Sequence, residues 1–145
     1  MTWRKFAAGA PDMAEFGRRE FERWRVAVVG TICRDGSPRI SHVEPCILEE
    51  ELYLGMLWHS RKALDLQHDP RIVLRNAVCS STGDECELTL RGRAVEVHRP
   101  EIRQRYQAAV DSSKWCSCKP PVEAPCSART ASRREQISLR PRRLT

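Results

Sequence analysis

Three apolar segments separated by short polar turns lie within residues 25–57, and this spacing constrains the fold more than any other feature of the chain. Val and Ile dominate the first segment, and β-branched residues favour strands. Asp35-Gly36 lies between the first two segments, where an Asp-Gly pair is a strong hairpin signal. Pro45 inside the second segment indicates a bulge or a sheet edge, because proline cannot donate to a strand ladder. The three predicted strands are 25–32, 38–48 and 52–57.

Further helices and strands are predicted on either side of this meander. Asp12 has the spacing of a helix cap, Ser60 is a favourable first residue for another helix, and Pro70 ends that helix. Gly92 indicates a bulge in the last strand. The predicted helices are 11–24, 61–68 and 101–110, and the additional strands are 71–78 and 86–98.

Five strands joined mainly by hairpins predict an antiparallel sheet. Such a sheet loses its exposed edges when it closes into a small barrel. A barrel of five or six strands has little interior space, so a ligand would lie outside it or between two barrels. The predicted fold class is therefore mainly β (α+β), an antiparallel barrel with flanking helices.

Residues 112–145 differ in composition from the rest of the chain. Residues 1–111 carry 17 basic and 17 acidic residues, whereas the tail carries 8 basic and 2 acidic residues and so holds the whole net charge of +6. The tail shows no strand or helix period, and its composition is typical of disorder. We expect a domain over residues 10–111 and a basic, Cys/Pro/Ser-rich, disordered tail over 112–145. The neutral domain argues against a nucleic-acid partner.

The cysteines and the apolar segments indicate the cellular setting. Seven cysteines without a signal peptide predict free thiols rather than a disulfide framework. Cys116 and Cys118 are spaced too closely for an ordinary zinc pair and no second pair follows, so no metal is predicted. No apolar run is long enough to span a membrane. We expect a cytoplasmic protein without a membrane partner.

The strongest chemical signal is Ser60-Arg61-Lys62 at the start of a predicted helix. A helix N-terminus presents unpaired N–H groups and the positive end of the helix dipole. Two cations are unfavourable there unless an anion offsets them, so the pattern favours phosphate binding. The alternative is an ordinary helix start with solvated charges.

Several motifs occur in a characteristic order. They are Asp-Gly-Ser-Pro-Arg at 35–39, Leu-Tyr at 52–53, Ser-Arg-Lys-Ala-Leu-Asp-Leu at 60–66, Asp-Pro-Arg at 69–71 and Gly-Arg-Ala at 92–94. This order resembles the pyridoxamine 5'-phosphate oxidase-like FMN-binding split-barrel superfamily, some members of which use deazaflavin F420 instead of FMN. The resemblance implies an antiparallel split β-barrel and a homodimer that binds a flavin between its subunits.

The resemblance also implies a set of flavin-binding residues. Arg61 and Lys62 match the pair that grips the flavin phosphate. The strand end at 55–56 matches the segment beside the phosphoribityl chain, and the strand at 39–41 matches the one whose backbone runs along the isoalloxazine ring. The predicted cofactor-binding residues are Arg39, Ile40, Ser41, Gly55, Met56, Ser60, Arg61 and Lys62.

The chain departs from the family pattern in three ways. Glu87 stands where the vitamin oxidases of the family often carry Gln, and a carboxylate there would repel a phosphate unless it points away. Family members continue with a strand that closes the barrel, whereas the family-like pattern here ends near Asp111, which implies an incomplete barrel. The substrate-binding C-terminal residues of the oxidases have no equivalent, so we expect no efficient oxidation of pyridoxamine phosphate.

Together these features predict an FMN- or F420-dependent oxidoreductase that transfers hydride to or from a small organic substrate. A non-catalytic flavin carrier and a truncated, inactive family member are the alternatives. His42 and His59 lie near the predicted cleft and could donate protons, although a hydrogen-bonded structural role is commoner for histidine. Trp58 could stack on a ring or cover a strand end. No catalytic residue is assigned.

Overall fold

A computed structural model describes residues 2–78, 86–112 and 134–141, the last segment by its backbone. These residues form four helices and six strands. The helices are α1 Trp3–Gly9, α2 Pro11–Trp24, α3 Arg61–His68 and α4 Pro100–Ser112. The strands are β1 Ala27–Ile32, β2 Pro38–Leu48, β3 Glu51–Leu57, β4 Arg71–Asn76, β5 Thr89–Glu96 and β6 Arg134–Pro141.

The six strands form a closed antiparallel barrel in the order β1-β2-β3-β6-β5-β4. The predicted hairpin joins β1 to β2, and the Cys33 N–H donates to the Ser37 carbonyl at 2.8 Å across its turn. Gly36 has a φ of +86°, a conformation that glycine adopts without a steric penalty. The prediction of an antiparallel barrel with flanking helices is therefore confirmed.

β6 closes the barrel in a part of the chain where no strand was predicted. Its backbone pairs with β3, with Ile137 opposite Leu54, and with β5, with Leu139 opposite Ala94. The prediction of a barrel lacking its closing strand is therefore wrong, and so is the prediction of disorder for 134–141. Pairing on both sides satisfies the backbone groups of β6 without needing a strong sequence period. The predicted disorder of 113–133 and 142–145 lies outside the described residues.

The N-terminal region contains two helices, of which the sequence analysis predicts only α2. Pro11 is the first residue of α2 and Ala10 precedes it, so the predicted cap at Asp12 is wrong. Proline is favoured at this position because its missing N–H would have no partner within the helix. Trp3 of α1 is buried and packs against Phe21 of α2, with ring centroids 6.3 Å apart. None of the described helices is long and apolar enough to cross a membrane.

Both predicted bulges are absent from the described strand ladders. Gly92 pairs in regular register with Ile72, and Pro45 with Leu54. The pairing of β2 with β1 stops at Val43, which lies opposite Ala27, the first residue of β1. Pro45 therefore has no partner in β1. The prediction of a sheet edge at Pro45 is thus correct on that side, where the missing N–H costs no ladder bond.

Apolar side chains fill the barrel and the space beneath α1 and α2. The largest fully buried ones from the strands are Val29, Leu52, Leu54, Met56 and Leu74. A smaller cluster of Tyr53, Val97 and Tyr106 lies beneath α4. The helix α3 follows β3 directly and contacts β1 and β3, so it lies at the end of the barrel where β1 ends and β2 begins.

Candidate functional site

β2 changes neighbours halfway along its length. Residues 38–43 pair with β1, whereas residues 44–48 pair with β3. β3 ends at Leu57, where the chain turns into α3, and within the described residues no strand pairs with 38–43 on the β3 side. We call this side of residues 38–43 the free edge of β2.

The side chain of Lys62 reaches the free edge. Its Nζ donates to the His42 carbonyl oxygen at 2.7 Å, so this carbonyl faces the free edge. Alternate residues of an antiparallel strand direct their backbone groups to the same side. The N–H and C=O of Ile40 therefore also face the free edge. They offer a ligand one donor and one acceptor, as the resemblance implies for a flavin ring.

The start of α3 contains a buried hydroxyl group without a partner. Ser60 is the N-cap in extended conformation, yet its side chain makes no cap hydrogen bond. Its Oγ is buried and has no hydrogen-bond partner among the residues that the structure describes. Buried polar atoms in folded proteins nearly always have a partner. The Ser60 hydroxyl is therefore suited to a ligand atom placed at the start of α3.

Arg61 and Lys62 differ in their surroundings although they are neighbours in sequence. Arg61 is exposed and forms no ion pair with the described residues, so its guanidinium is available to an anion. Lys62 is partly buried and already bonded to His42. Burial lowers the pKa of Lys62, and the nearby Glu44 carboxylate opposes that shift.

The turn before α3 places an aromatic pair next to this site. The Ser60 N–H donates to the Leu57 carbonyl at 3.0 Å, and His59 has a φ of +57°. The rings of Trp58 and His59 stack with centroids 4.7 Å apart. The side chains of His42 and His59 are exposed and form no hydrogen bond that the described residues supply. Neither imidazole is thus held in a structural hydrogen bond.

A buried polar network lies further along α3. Arg39 Nε donates to Asp65 Oδ2 at 2.7 Å, and Thr31 Oγ1 donates to the same oxygen at 2.9 Å. Arg39 Nη2 also lies 3.1 Å from Cys33 Sγ. The hydrogen bond to Asp65 raises the pKa of the Arg39 guanidinium. The Arg39 side chain therefore ties α3 to the barrel, and its backbone groups face β1, where Arg39 pairs with Thr31.

Asp65 is a neighbour of the candidate site that the sequence analysis does not identify. It is 7% exposed and lies on the same helix as the buried residues Ala63 and Leu66. An acidic residue among the apolar positions of a short helix is the signal that could have revealed it, because a buried carboxylate requires partners. Its partners come from β1 and β2 and are distant in sequence.

Gly55 and Met56 are not brought to this site as side-chain contacts. Met56 is 2% exposed and points into the barrel core. A Cβ on Gly55 would overlap the Tyr106 hydroxyl, because α4 covers this position. The Tyr106 hydroxyl donates to the Glu44 carbonyl at 2.9 Å. The space beside Gly55 is therefore occupied by the Tyr106 side chain of the same protein.

The predicted site thus divides into two groups. Those that the structure brings together around the start of α3 and the free edge of β2 are Arg39, Ile40, Ser41, Ser60, Arg61 and Lys62. Gly55 and Met56 lie in β3, with pairing partners in β2 and β6 for Gly55. The backbone of Gly55 is therefore enclosed by the sheet.

Two other expectations concern the Glu87 carboxylate and the cysteine thiols. Glu87 forms an ion pair with Arg75 and accepts a hydrogen bond from Thr89, so its carboxylate has partners of its own. The thiols of Cys33, Cys46 and Cys86 are free, and the remaining cysteines lie outside the described residues. In the described part of the chain, no group of three or more His, Cys, Asp and Glu side chains could hold a metal ion.

Comparison with known proteins supports the fold. No protein-family model matches the sequence, and no curated protein matches it. Among solved structures, a Listeria innocua protein named as a candidate pyridoxamine 5'-phosphate oxidase aligns with a TM-score of 0.63 at 13% identity, over 89% of this chain and 93% of that one. The chain has the split-barrel fold of the pyridoxamine 5'-phosphate oxidase-like proteins.

Two further structures with the same split-barrel fold differ in what their names describe. The heme storage protein HutZ from Vibrio cholerae aligns with a TM-score of 0.57 at 15% identity, over 89% of this chain and 90% of that one. An F420 reductase aligns with a TM-score of 0.58 at 18% identity, over 87% of this chain and 93% of that one. At these identities the comparisons show the fold, and they confirm the fold that the sequence resemblance implies.

Proposed function

We propose that this protein binds FMN, or the related deazaflavin F420, and uses it as an oxidoreductase acting on a small organic substrate. The buried, unpartnered Ser60 Oγ at the start of α3 is the observation that carries the proposal. A phosphate oxygen placed there would accept from this hydroxyl and from the first N–H groups of the helix. The exposed guanidinium of Arg61 next to it adds a charge-assisted contact.

The free edge of β2 supports binding of a ring as well as of a phosphate. The backbone N–H and C=O of Ile40 face this edge, and Lys62 connects the edge to α3 at His42. A ring with amide-like donors and acceptors would add the hydrogen bonds that a missing strand would otherwise supply. When bound, the flavin supplies the hydride chemistry, and the protein contributes binding, orientation and exclusion of water.

A second subunit would complete this site. Ile40 and Val73 both pair with Gly30, so the three residues form a row across the outer face of the sheet. Ile40 is 73% exposed and Val73 is 40% exposed, which leaves an apolar surface beside the free edge. Surfaces of this kind are typical of protein–protein contacts. We therefore include a homodimer in the proposal, and sedimentation equilibrium of the purified protein tests it.

Titration with FMN tests the proposal directly. A charge-assisted hydrogen bond contributes about 1.5–3 kcal/mol, so Arg61→Ala should weaken FMN binding by more than about tenfold. Arg19→Ala is the matched control, because Arg19 is also exposed but lies in α2, away from the start of α3. An unchanged dissociation constant for Arg61→Ala, measured by quenching of flavin fluorescence, would refute the assignment.

The cofactor that co-purifies distinguishes FMN from F420 and from the heme named for one of the neighbours. We expect a yellow protein that releases a flavin or deazaflavin on denaturation, identified by mass. A flavin carrier remains the alternative to an enzyme, and hydride transfer in the presence of candidate substrates separates the two. We expect little peroxide production from pyridoxamine phosphate, because no equivalent of the substrate-binding C-terminal residues occurs in the sequence.

A further inference from the structure

The ammonium group of Lys62 already has a strong partner. Its Nζ lies 2.7 Å from the His42 carbonyl oxygen, and the residue is partly buried. Arg61, the preceding residue, is exposed. Consecutive residues of an α-helix point about 100° apart, since a turn contains about 3.6 residues. The two cations therefore start from different sides of α3.

The free edge of β2 requires such a partner. Residues 38–43 have β1 on one side, and the described residues place no strand on the other. Unpaired strand edges leave backbone donors and acceptors open. A hydrogen bond from a charged donor is roughly twice as strong as a neutral one. The Lys62 bond at His42 therefore holds the edge at the point where β3 leaves it.

We propose that Lys62 is a positioning residue that fixes the free edge of β2 against α3, while Ser60 and Arg61 make the anion contact. The inference rests on the proposed flavin site. It differs from the role implied by the family resemblance, in which both cations grip the phosphate. Lys62 then orients the Ile40 backbone groups toward the ring and contributes equally to any ligand that uses them.

FMN and riboflavin separate the two roles, because they differ only by the phosphate. Arg61→Met should weaken FMN binding more than about tenfold and leave riboflavin binding unchanged. Lys62→Met should weaken both ligands by the same factor, about five- to tenfold, so that the ratio of the two dissociation constants stays at the wild-type value. Lys5→Met removes an exposed lysine from α1 and is the control, with no effect on either ligand.

Hydrogen exchange of the flavin-free protein gives a second measurement. Exchange of the Arg39, Ser41 and Val43 amides, which face β1, should become several-fold faster in Lys62→Met, because this strand loses its link to α3 and separates from β1 more often. It should stay at the wild-type rate in Arg61→Met and Lys5→Met. If the wild-type protein binds neither these flavins nor F420, the proposed function fails, and this exchange experiment alone decides the role of Lys62.

Two results would overturn the role of Lys62. One is wild-type exchange of the Arg39, Ser41 and Val43 amides in the Lys62 variant. The other is loss of FMN binding with riboflavin binding preserved, which would place Lys62 on the phosphate. If Lys62→Met does not fold, Lys62→Gln replaces it in the titrations, since it removes the charge but keeps an N–H donor. Any change in its ratio of dissociation constants overturns the proposal.

Discussion

The start and the middle of α3 use polar side chains in opposite ways. At Asp65, the carboxylate is buried and receives hydrogen bonds from Thr31 and Arg39. At the start of the helix, the Ser60 hydroxyl is buried without a partner and Arg61 is exposed. One region has its hydrogen bonds completed by the protein itself, and the other leaves them for a ligand. A helix of 8 residues thus combines an anchor with the proposed binding site.

The comparison shows why the anchor and the binding site lie close together. Leaving polar groups unsatisfied costs stability, which the rest of the fold must offset. Asp65 joins α3 to β1 and β2 and so fixes the direction in which the helix start points. A rigid attachment is what a binding site needs in order to hold its donors in place before the ligand arrives.

The largest expected effect is the loss of stability when the anchor is removed. Asp65→Ala leaves Thr31, which is 3% exposed, and Arg39 without their shared acceptor. Breaking a buried ion pair costs about 3–5 kcal/mol. Because the Arg39 side chain is 33% exposed and could turn to water, we expect a value near the lower limit. Urea unfolding measures the change in the free energy of unfolding.

Asp69→Ala is the matched control for the anchor. Asp69 follows the C-terminal end of α3, and its ion-pair partner Arg71 is exposed. Exposed ion pairs contribute little to stability because water screens them, so this variant should lose far less stability than Asp65→Ala. Equal losses in the two variants would remove the distinction between an anchor and an ordinary surface pair.

The next effect concerns the hydroxyl at the start of the helix. Ser60→Ala removes a partner for the phosphate, and we expect FMN binding to weaken about fivefold, equivalent to one hydrogen bond of about 1 kcal/mol. Replacing an N-cap serine usually destabilises a protein by about 1 kcal/mol. Ser60 makes no cap hydrogen bond and its buried hydroxyl has no partner in the described residues, so the flavin-free variant should be at least as stable as the wild type. A destabilised variant with unaltered FMN binding would show a structural hydroxyl instead.

Removing the exposed cation of Arg61 tests the start of α3 rather than the anchor at Asp65. Arg61 forms no ion pair with the described residues, so Arg61→Ala should change the free energy of unfolding by less than about 0.5 kcal/mol in the absence of ligand. With saturating FMN, the wild type should gain more stability than the variant, because binding to the folded state adds to stability. Thermal unfolding with and without FMN measures both quantities. A large loss without ligand would make Arg61 part of the anchor.

The smallest effect is a dependence on pH at the C-terminal end of α3. Hydrogen bonds from Arg71 lower the pKa of Asp69 from 3.8 to about 2. The ionised form is therefore favoured by folding, and its contribution to stability is present above about pH 4 and disappears as the pH falls through 2. Unfolding of wild type and Asp69→Asn between pH 5 and pH 2 tests this. The free energies of unfolding of the two proteins should differ at pH 5 and converge near pH 2.

Local sequence signals predicted β1 to β5 and α3, because each of these elements carries its own period or boundary residue. Ser60 and Pro70 bracket α3, and Asp35-Gly36 forms the turn before β2. The Arg39–Asp65 network was not predictable in this way, since its groups meet only after the barrel has formed. The same holds for Tyr106, which fills the space at Gly55 from a helix far along the chain.

β6 was missed for a related physical reason. Its strand state comes from backbone pairing with β3 and β5, and its sequence alone supplies too few apolar residues to indicate a strand. The start of α3 was found because its signal is chemical rather than conformational. A serine followed by two cations at a helix start indicates an anion whatever the tertiary packing around it.

The late position of β6 in the sequence has a consequence for folding during synthesis. Ribosomes add roughly 5–20 residues per second, so β3 and β5 are complete seconds before β6 leaves the ribosome. Until β6 is made, the backbone of Tyr53 has no partner on that side, because Ser138 lies opposite it in β6. During that interval both neighbouring strands present an open edge to other chains. Chaperone capacity and growth temperature should therefore affect the yield of this protein more than its final stability would suggest.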